Sequence, residues 1–185
     1  MTYYMTVIWA TYVAKFFLGW VRLFHKPREG VFKRSLVDKD YRFFHLRNLI
    51  RKFPLWLLYS GPFPWLKEGW MHRRFGAKIG KNCAIHDAFL SLDFVELGDN
   101  VILGLGSAVT SYWYEQERFI LGQISIGNNV IIGAKVAILP FTTIGEGAVV
   151  DAESIILPGM EIKAGDFVIG KPAASAKMRE VPFSE

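Results

Sequence analysis

Through the C-terminal half of this chain an aliphatic residue recurs at every sixth position, and few folds accommodate that period. Stepping by six from Ile79 reaches Ile85, Ser91, Leu97, Leu103 and Val109. After a break the count resumes at Ile120 and runs through Ile126, Ile132, Ile138, Ile144, Val150, Ile156, Ile162 and Val168. A helix repeats every 3.6 residues and a strand alternates every two, so neither produces this beat. A three-sided parallel β-helix does, because each flat side with its corner consumes six residues and each coil eighteen. Two consecutive 18-mers, 126–143 and 144–161, display the coil directly: Ile126 aligns with Ile144, Gly127 with Gly145, and Leu139-Pro140 with Leu157-Pro158. The spacing predicts about five coils over residues 75–170, two before residue 110 and three after residue 119. Val130, Val136, Thr142, Ala148 and Ser154, two positions before stacking aliphatics, are expected to point inward as well. Cys83 is expected to be a small inward-facing side chain rather than a reactive thiol. Gly-Asp-Asn at 98–100 and Gly-Asn-Asn at 127–129 supply corners that need positive φ.

The region before the repeat is of a different kind. Residues 1–76 carry 14 Lys and Arg against 4 Asp and Glu, whereas residues 77–185 carry 8 against 13. Five of the six tryptophans also fall in the basic part. Such asymmetry points to nucleic acid or to an anionic membrane, and the long apolar runs favour membrane. Residues 3–24 are long enough to cross a bilayer, but Lys15 near the middle would cost about 2.5–3.5 kcal/mol there. A helix lying in the interface avoids that cost by snorkelling Lys15 outward, and the alternative is a helix packed on the repeat domain or on a partner chain. No positive segment precedes the apolar run and no small-residue cleavage site follows, which argues against a secretory signal. Arg22, Lys26, Arg28, Lys33 and Arg34 place this region on the cytoplasmic face of the membrane. A second helix is expected over 40–60, after Asp38 or Asp40. Residues 53–66, flanked by Arg51-Lys52 and His72-Arg73-Arg74, read either as a membrane-dipping element or as the cap that a solenoid end requires. Residues 1–74 thus form a helical, basic, capping and membrane-associating region, and 171–185 a tail or short helix.

The hexads resemble the left-handed β-helix, hexapeptide-repeat acyltransferase family over roughly residues 75–180. The resemblance implies a homotrimer with sites between subunits and acetyl-CoA, or another acyl-CoA, as co-substrate; no metal is expected. The segment Gly170-Lys171-Pro172-Ala173 is similar to the Gly-x-Pro-Ala ending of sugar and xenobiotic acetyltransferases, where it flanks the CoA channel. By that resemblance Gly133, Ala152, Gly170, Lys171, Pro172 and Lys177 are the candidate CoA-binding residues. The alternative for the ending is a plain exit from the β-helix.

The family's usual general base is a histidine that deprotonates the acceptor. The chain has His25, His45, His72 and His86, and none lies in the last three coils. The missing histidines also exclude the three-histidine zinc site of carbonic anhydrases on this fold. In relatives, including the acyltransferase-like region of some peptide synthetases, a histidine often follows Thr-Ser or Ser-Ser in the insertion; here Thr110-Ser111 is followed by Tyr112. Three readings stay open. His86 beside Asp87 acts as base, or Tyr112 with Glu115 or Glu117 positions the acceptor, or the 110–119 loop only covers a seam or binds a partner. The expected function is acyl transfer from acyl-CoA to a hydroxyl or amine of a lipid-linked sugar or envelope precursor, or of a small-molecule acceptor. The rival is a non-catalytic scaffold anchoring a membrane complex.

Overall fold

The computed structural model describes residues 2–59, 61, 70–85, 87–173 and 177–178. Its first half holds helix α1 (Thr2–Phe24), strand β1 (Gly30–Lys33), helix α2 (Lys39–Tyr59) and a short helix α3 (Trp70–Phe75). Asp38 caps α2, its Oδ1 accepting from the Tyr41 amide at 3.1 Å, as expected of a residue that satisfies an otherwise orphaned N–H. Of the 53–66 segment, 53–59 are the last turns of α2 and 62–66 lie outside the described residues.

Coil one comprises β2 (Lys78–Ile79), β3 (Ala84–Ile85) and β4 (Phe89–Leu90), and coil two β5 (Val95–Leu97), β6 (Ile102–Leu103) and β7 (Ala108–Val109). A hairpin follows, β8 (Tyr112–Glu115) and β9 (Arg118–Leu121). Coil three is β10 (Ile124–Ile126), β11 (Ile131–Ile132) and β12 (Ala137–Ile138), and coil four β13 (Thr143–Ile144), β14 (Val149–Val150) and β15 (Ile155–Ile156). Strands β16 (Met160–Ile162) and β17 (Phe167–Val168) make coil five, and β18 (Lys177–Met178) returns antiparallel to β16. Corresponding strands of successive coils pair in parallel and build three flat sheets.

Stacking is in register. On the second sheet Ile85, Leu103, Ile132, Val150 and Val168 lie over one another, all buried. Val130, Val136, Thr142, Ala148 and Ser154 are buried too, as their spacing predicts. Cys83 is half-buried against this core, with Sγ 3.1 Å from the Gly98 carbonyl oxygen.

At the 98–100 and 127–129 corners the asparagines, not Gly98 or Gly127, carry the positive φ: Asn100 and Asn129 have φ of 57° and 56°, and Asn82 one coil earlier has 55°. Asn100 Nδ2 donates to Asn129 Oδ1 at 3.0 Å, which ties adjacent corners together. The glycine after the aliphatic answers a different need. A Cβ on Gly104 would lie 2.6 Å from the Ala134 amide nitrogen in the next coil, so only glycine permits that approach.

The regular hexads fail in two places. Leu90, not Ser91, is the inward residue of β4 and pairs with Val109. The chain therefore takes an extra residue between β4 and β5, where Phe94 adopts φ 58°. The second correction is Ile120, which belongs to no coil. It lies on β9 opposite Val31 of β1 and Trp113 of β8, inside a three-stranded antiparallel sheet. Paired strands on either side of the insertion are 29 residues apart (Ile102 with Ile131), where other coils show 18 (Ile131 with Val149). A period-two strand happened to present an aliphatic on the six-residue count. The insertion is thus a built hairpin, and β1 fastens it to the N-terminal region.

Helices α1, α2 and α3 close the first coil. Val7, Ala14, Leu18, Leu58, Met71 and Phe75 join the β-helix core in one continuous apolar cluster. The opposite face of α1 is apolar as well: Met5, Ile8, Trp9, Tyr12, Phe16, Trp20 and Leu23 are all exposed. Leu46, Leu49, Phe53 and Trp56 form a second exposed apolar stripe on α2.

Candidate active site

A cleft of about 500 Å³ opens between α2 and the start of the hairpin, floored by β4 and the residues after it. Its polar lining is Asn48, Arg51, Lys52, Ser91, Asp93, Ser111 and Tyr112, and its apolar walls include Phe44, Leu55, Trp56 and Phe89. Local sequence explains this convergence. The extra residue after Leu90 bulges the corner and places Asp93 under α2. Arg47 and Arg51, one turn apart on one face of α2, meet it there. Arg51 Nη2 donates to Asp93 Oδ1 at 2.7 Å and Arg47 Nε to Oδ2 at 3.2 Å. Both arginines are 1% exposed. Burial alone would raise the Asp93 carboxyl, but the charges and hydrogen bonds of Arg51 and Arg47 outweigh it and hold the group below the usual carboxylate range. Burial in turn depresses Arg47, opposed by Asp93 and reinforced by the nearby charges of Arg51 and Arg22.

Tyr112 lines this cleft from the far wall and packs on Phe44 (5.2 Å, edge-on) and Tyr114 (5.7 Å). The Ser111 amide donates to Ser91 Oγ at 3.2 Å, stitching the hairpin base to β4. Tyr114 is pushed up to about 12, by burial first and by Tyr41 and Tyr112 second, so it stays a neutral phenol. Glu115 is exposed at the hairpin tip opposite Arg118 and does not line the cleft.

The four histidines separate by environment. His25 stacks on Phe43 at 4.7 Å with Nε2 3.2 Å from Asp40 Oδ1, a link between α1 and α2. His45 sits among Tyr41, Phe44 and Phe119, and burial lowers its pKa. His72 is buried in α3. His86 lies outside the described residues. Its chain neighbour Asp87 lines a smaller hollow of about 260 Å³, which shares Leu55, Phe89 and Leu90 with the main cleft.

The expected CoA-binding residues mostly align along one edge of coils three to five. Gly133 abuts Ala152, since a Cβ on the former would lie 2.5 Å from the latter's amide nitrogen. Directly beyond, the Gly170 amide donates to Ser154 Oγ at 3.2 Å, and Lys171 Nζ pairs with Glu153 Oε2 at 3.2 Å. Gly170 bridges to Ala173 around a cis Lys171–Pro172 bond, so the ending turns tightly over coil four. Lys177 departs from this edge, lying on β18 opposite Glu161; its side chain lies outside the described residues.

Sequence reading missed the Arg47–Arg51–Asp93 cluster, taking Arg51-Lys52 only as a basic flank. The available signal was the i, i+4 arginine pair on an otherwise apolar helix.

No family model matches the chain. YvoF of Bacillus subtilis strain 168, a provisionally assigned acetyltransferase, is 31% identical over 116 residues, which are 60% of this chain and 66% of that protein. The delta-poly-L-ornithine synthetase of Acinetobacter baumannii is 28% identical over 102 residues, 55% of this chain and 8% of the synthetase. The chain thus matches just under two thirds of the first relative and a small part of the second. Galactoside acetyltransferase in complex with coenzyme A superposes with a TM-score of 0.56 at 23% identity, covering 74% of this chain and 80% of that one, which shows the fold. By fold the chain is a left-handed parallel β-helix, the solenoid of the hexapeptide-repeat acyltransferases, and its sequence is similar to theirs over the repeat.

Proposed function

We propose that this protein is a membrane-associated, CoA-dependent acetyltransferase that acts at the cytoplasmic face on a hydroxyl or amine of a lipid-linked sugar or envelope precursor. The observation that carries this reading is the coincidence of a hexapeptide-repeat β-helix with a polar cleft whose wall shares Trp56 with one of two exposed apolar helix stripes. Acetyl-CoA, the donor suggested by the coenzyme A complex of the galactoside enzyme, would run along the edge of Gly133, Ala152 and Gly170. Small residues there leave the backbone open to an extended thioester arm. Lys171 supplies positive charge for its phosphates in exchange for Glu153.

The acceptor occupies the cleft, with its O–H or N–H oriented by Tyr112. Of the four histidines, His25 is engaged with Asp40, His45 is enclosed by aromatic rings and His72 is buried in the cap. This leaves His86 to accept the acceptor's proton as oxygen or nitrogen attacks the thioester carbonyl. Collapse of the tetrahedral species expels the CoA thiolate, which takes the proton. Exchange of His86 for Ala should lower turnover about 10²–10⁴-fold, the usual range for losing a general base. Tyr112→Phe should cost at most about tenfold, in line with one hydrogen bond. Calorimetry with acetyl-CoA should show unchanged donor affinity in both variants; absence of acetyl-CoA binding to the wild type would end the enzyme reading.

A homotrimer completes the proposal. The outward residues of the second sheet form an unbroken apolar ladder, Ala84, Ile102, Ile131, Val149 and Phe167, where the first sheet presents Lys78, Glu96, Ser125, Thr143 and Glu161. Ile102, Ile131 and Phe167 are 43%, 45% and 61% exposed in one chain, a surface that association would bury. Ile131→Asp should shift sedimentation from trimer to monomer with the β-rich circular dichroism retained. A wild-type monomer would refute the assembly.

A further inference from the structure

The inner end of the cleft carries a positive charge that no group among the described residues neutralises. Asp93 is one carboxylate shared by two guanidiniums, and Arg22 lies close enough to depress Arg47 further. Arg51, 1% exposed and lining the cleft, keeps Nε and Nη1 without a hydrogen-bond partner among the described residues. Arg47 Nη1 is likewise unpartnered among them. Buried donors on a buried cation carry a heavy desolvation cost unless an acceptor reaches them. The mouth has the opposite character. Trp56, 60% exposed, belongs both to the cleft wall and to the apolar stripe with Leu46, Leu49 and Phe53, and exposed Lys52 stands beside it. That stripe lies on α2, which packs against α1.

We infer that the cleft binds the phosphorylated head group of a membrane-resident lipid, with the phosphate on the free donors of Arg51 and the tail leaving past Trp56 into the bilayer. The unpartnered donors belong to a buried guanidinium, which favours a multiply charged oxyanion, and Lys52 at the mouth adds a second cation; a phosphate matches both. Phosphate alone does not fill about 500 Å³. The remaining space, walled by Phe44, Leu55 and Phe89, takes the group attached to it. This inference rests on the membrane reading above and specifies how the acceptor enters.

The test uses the purified full chain and phosphatidylcholine vesicles doped with phosphatidic acid, or with oleic acid to the same surface potential. Flotation should show roughly tenfold tighter binding to phosphatidic acid, since a charge-assisted hydrogen bond contributes more than diffuse surface charge. Lys52→Glu and Asn48→Trp, which reverse the charge at the mouth and fill the cleft without touching the Arg–Asp cluster, should abolish that preference but keep basal vesicle binding. Equal binding to both vesicles, or a preference unaffected by both variants, would overturn the inference and leave membrane association standing. Calorimetry with soluble dihexanoyl phosphatidic acid separates the two ideas. Its binding, lost in Asn48→Trp, supports the cleft assignment even where vesicle binding fails. If Asn48→Trp weakens coenzyme A binding equally, the cleft seats the donor and the inference is wrong.

Discussion

Replacing Asp93 by Ala should destabilise the protein by about 3–5 kcal/mol, because it strands Arg47 and Arg51 in the interior without a counter-charge. For a chain of this size that lowers the melting midpoint by roughly 10 °C. The effect should fall on the junction between α2 and the first coils, so limited proteolysis ought to release the N-terminal region first. Replacing all three by leucine-sized apolar residues should recover most of the loss, since well-packed hydrophobic substitutes for buried ion clusters are often neutral. The pH dependence has a definite sign. Asp93 is held below its unfolded value, so its stabilising effect is complete above the ordinary carboxylate range and is lost as pH falls through the folded pKa. A melting midpoint of Asp93→Ala equal to wild type near neutrality would show that the cluster does not hold the cap.

On the proposed membrane association, substituting Asp for both Trp9 and Phe16 should abolish vesicle binding without unfolding the protein. These side chains are 70% and 68% exposed and lie opposite Val7, Ala10, Ala14 and Leu18, which pack on the cap. Losing two large apolar anchors removes roughly 4 kcal/mol of partitioning, about a thousandfold. Co-sedimentation with anionic vesicles should therefore fall to background while far-ultraviolet circular dichroism is unchanged. Because α1 packs along its length on α2 and α3, we expect it to lie flat in the interface with exposed Lys15 snorkelling at the edge, rather than to span. Undiminished vesicle binding by the double variant would contradict this.

The six-residue period reported architecture faithfully because it reflects stacking between coils, a constraint repeated at every turn. It misplaced Ser91 and Ile120, where the chain departs from that constraint. At the first, one extra residue bulges a corner; at the second, an antiparallel hairpin borrows an aliphatic in step with the count. Both departures border the cleft. The insertion was legible as an interruption, but its pairing with β1, some 90 residues earlier in Gly30↔Leu121, is a long-range contact that local pattern does not encode. The Arg47–Arg51–Asp93 cluster was hidden for the same reason: its members are 46 and 42 residues apart and meet only because a corner slips. Tyr112 could be singled out from sequence, whereas its aromatic partner Phe44, on α2, became apparent only in three dimensions.

The most direct measurement is the fate of the acetyl group when the purified protein, acetyl-CoA and a membrane lipid extract are combined. Free CoA thiol should appear only when lipid is present, matched by radiolabelled acetyl recovered in the lipid fraction. His86→Ala should suppress both signals. Acetyl-CoA binding without thiol release, and without any acetylated lipid, would contradict the enzyme and leave a β-helix scaffold held at the membrane.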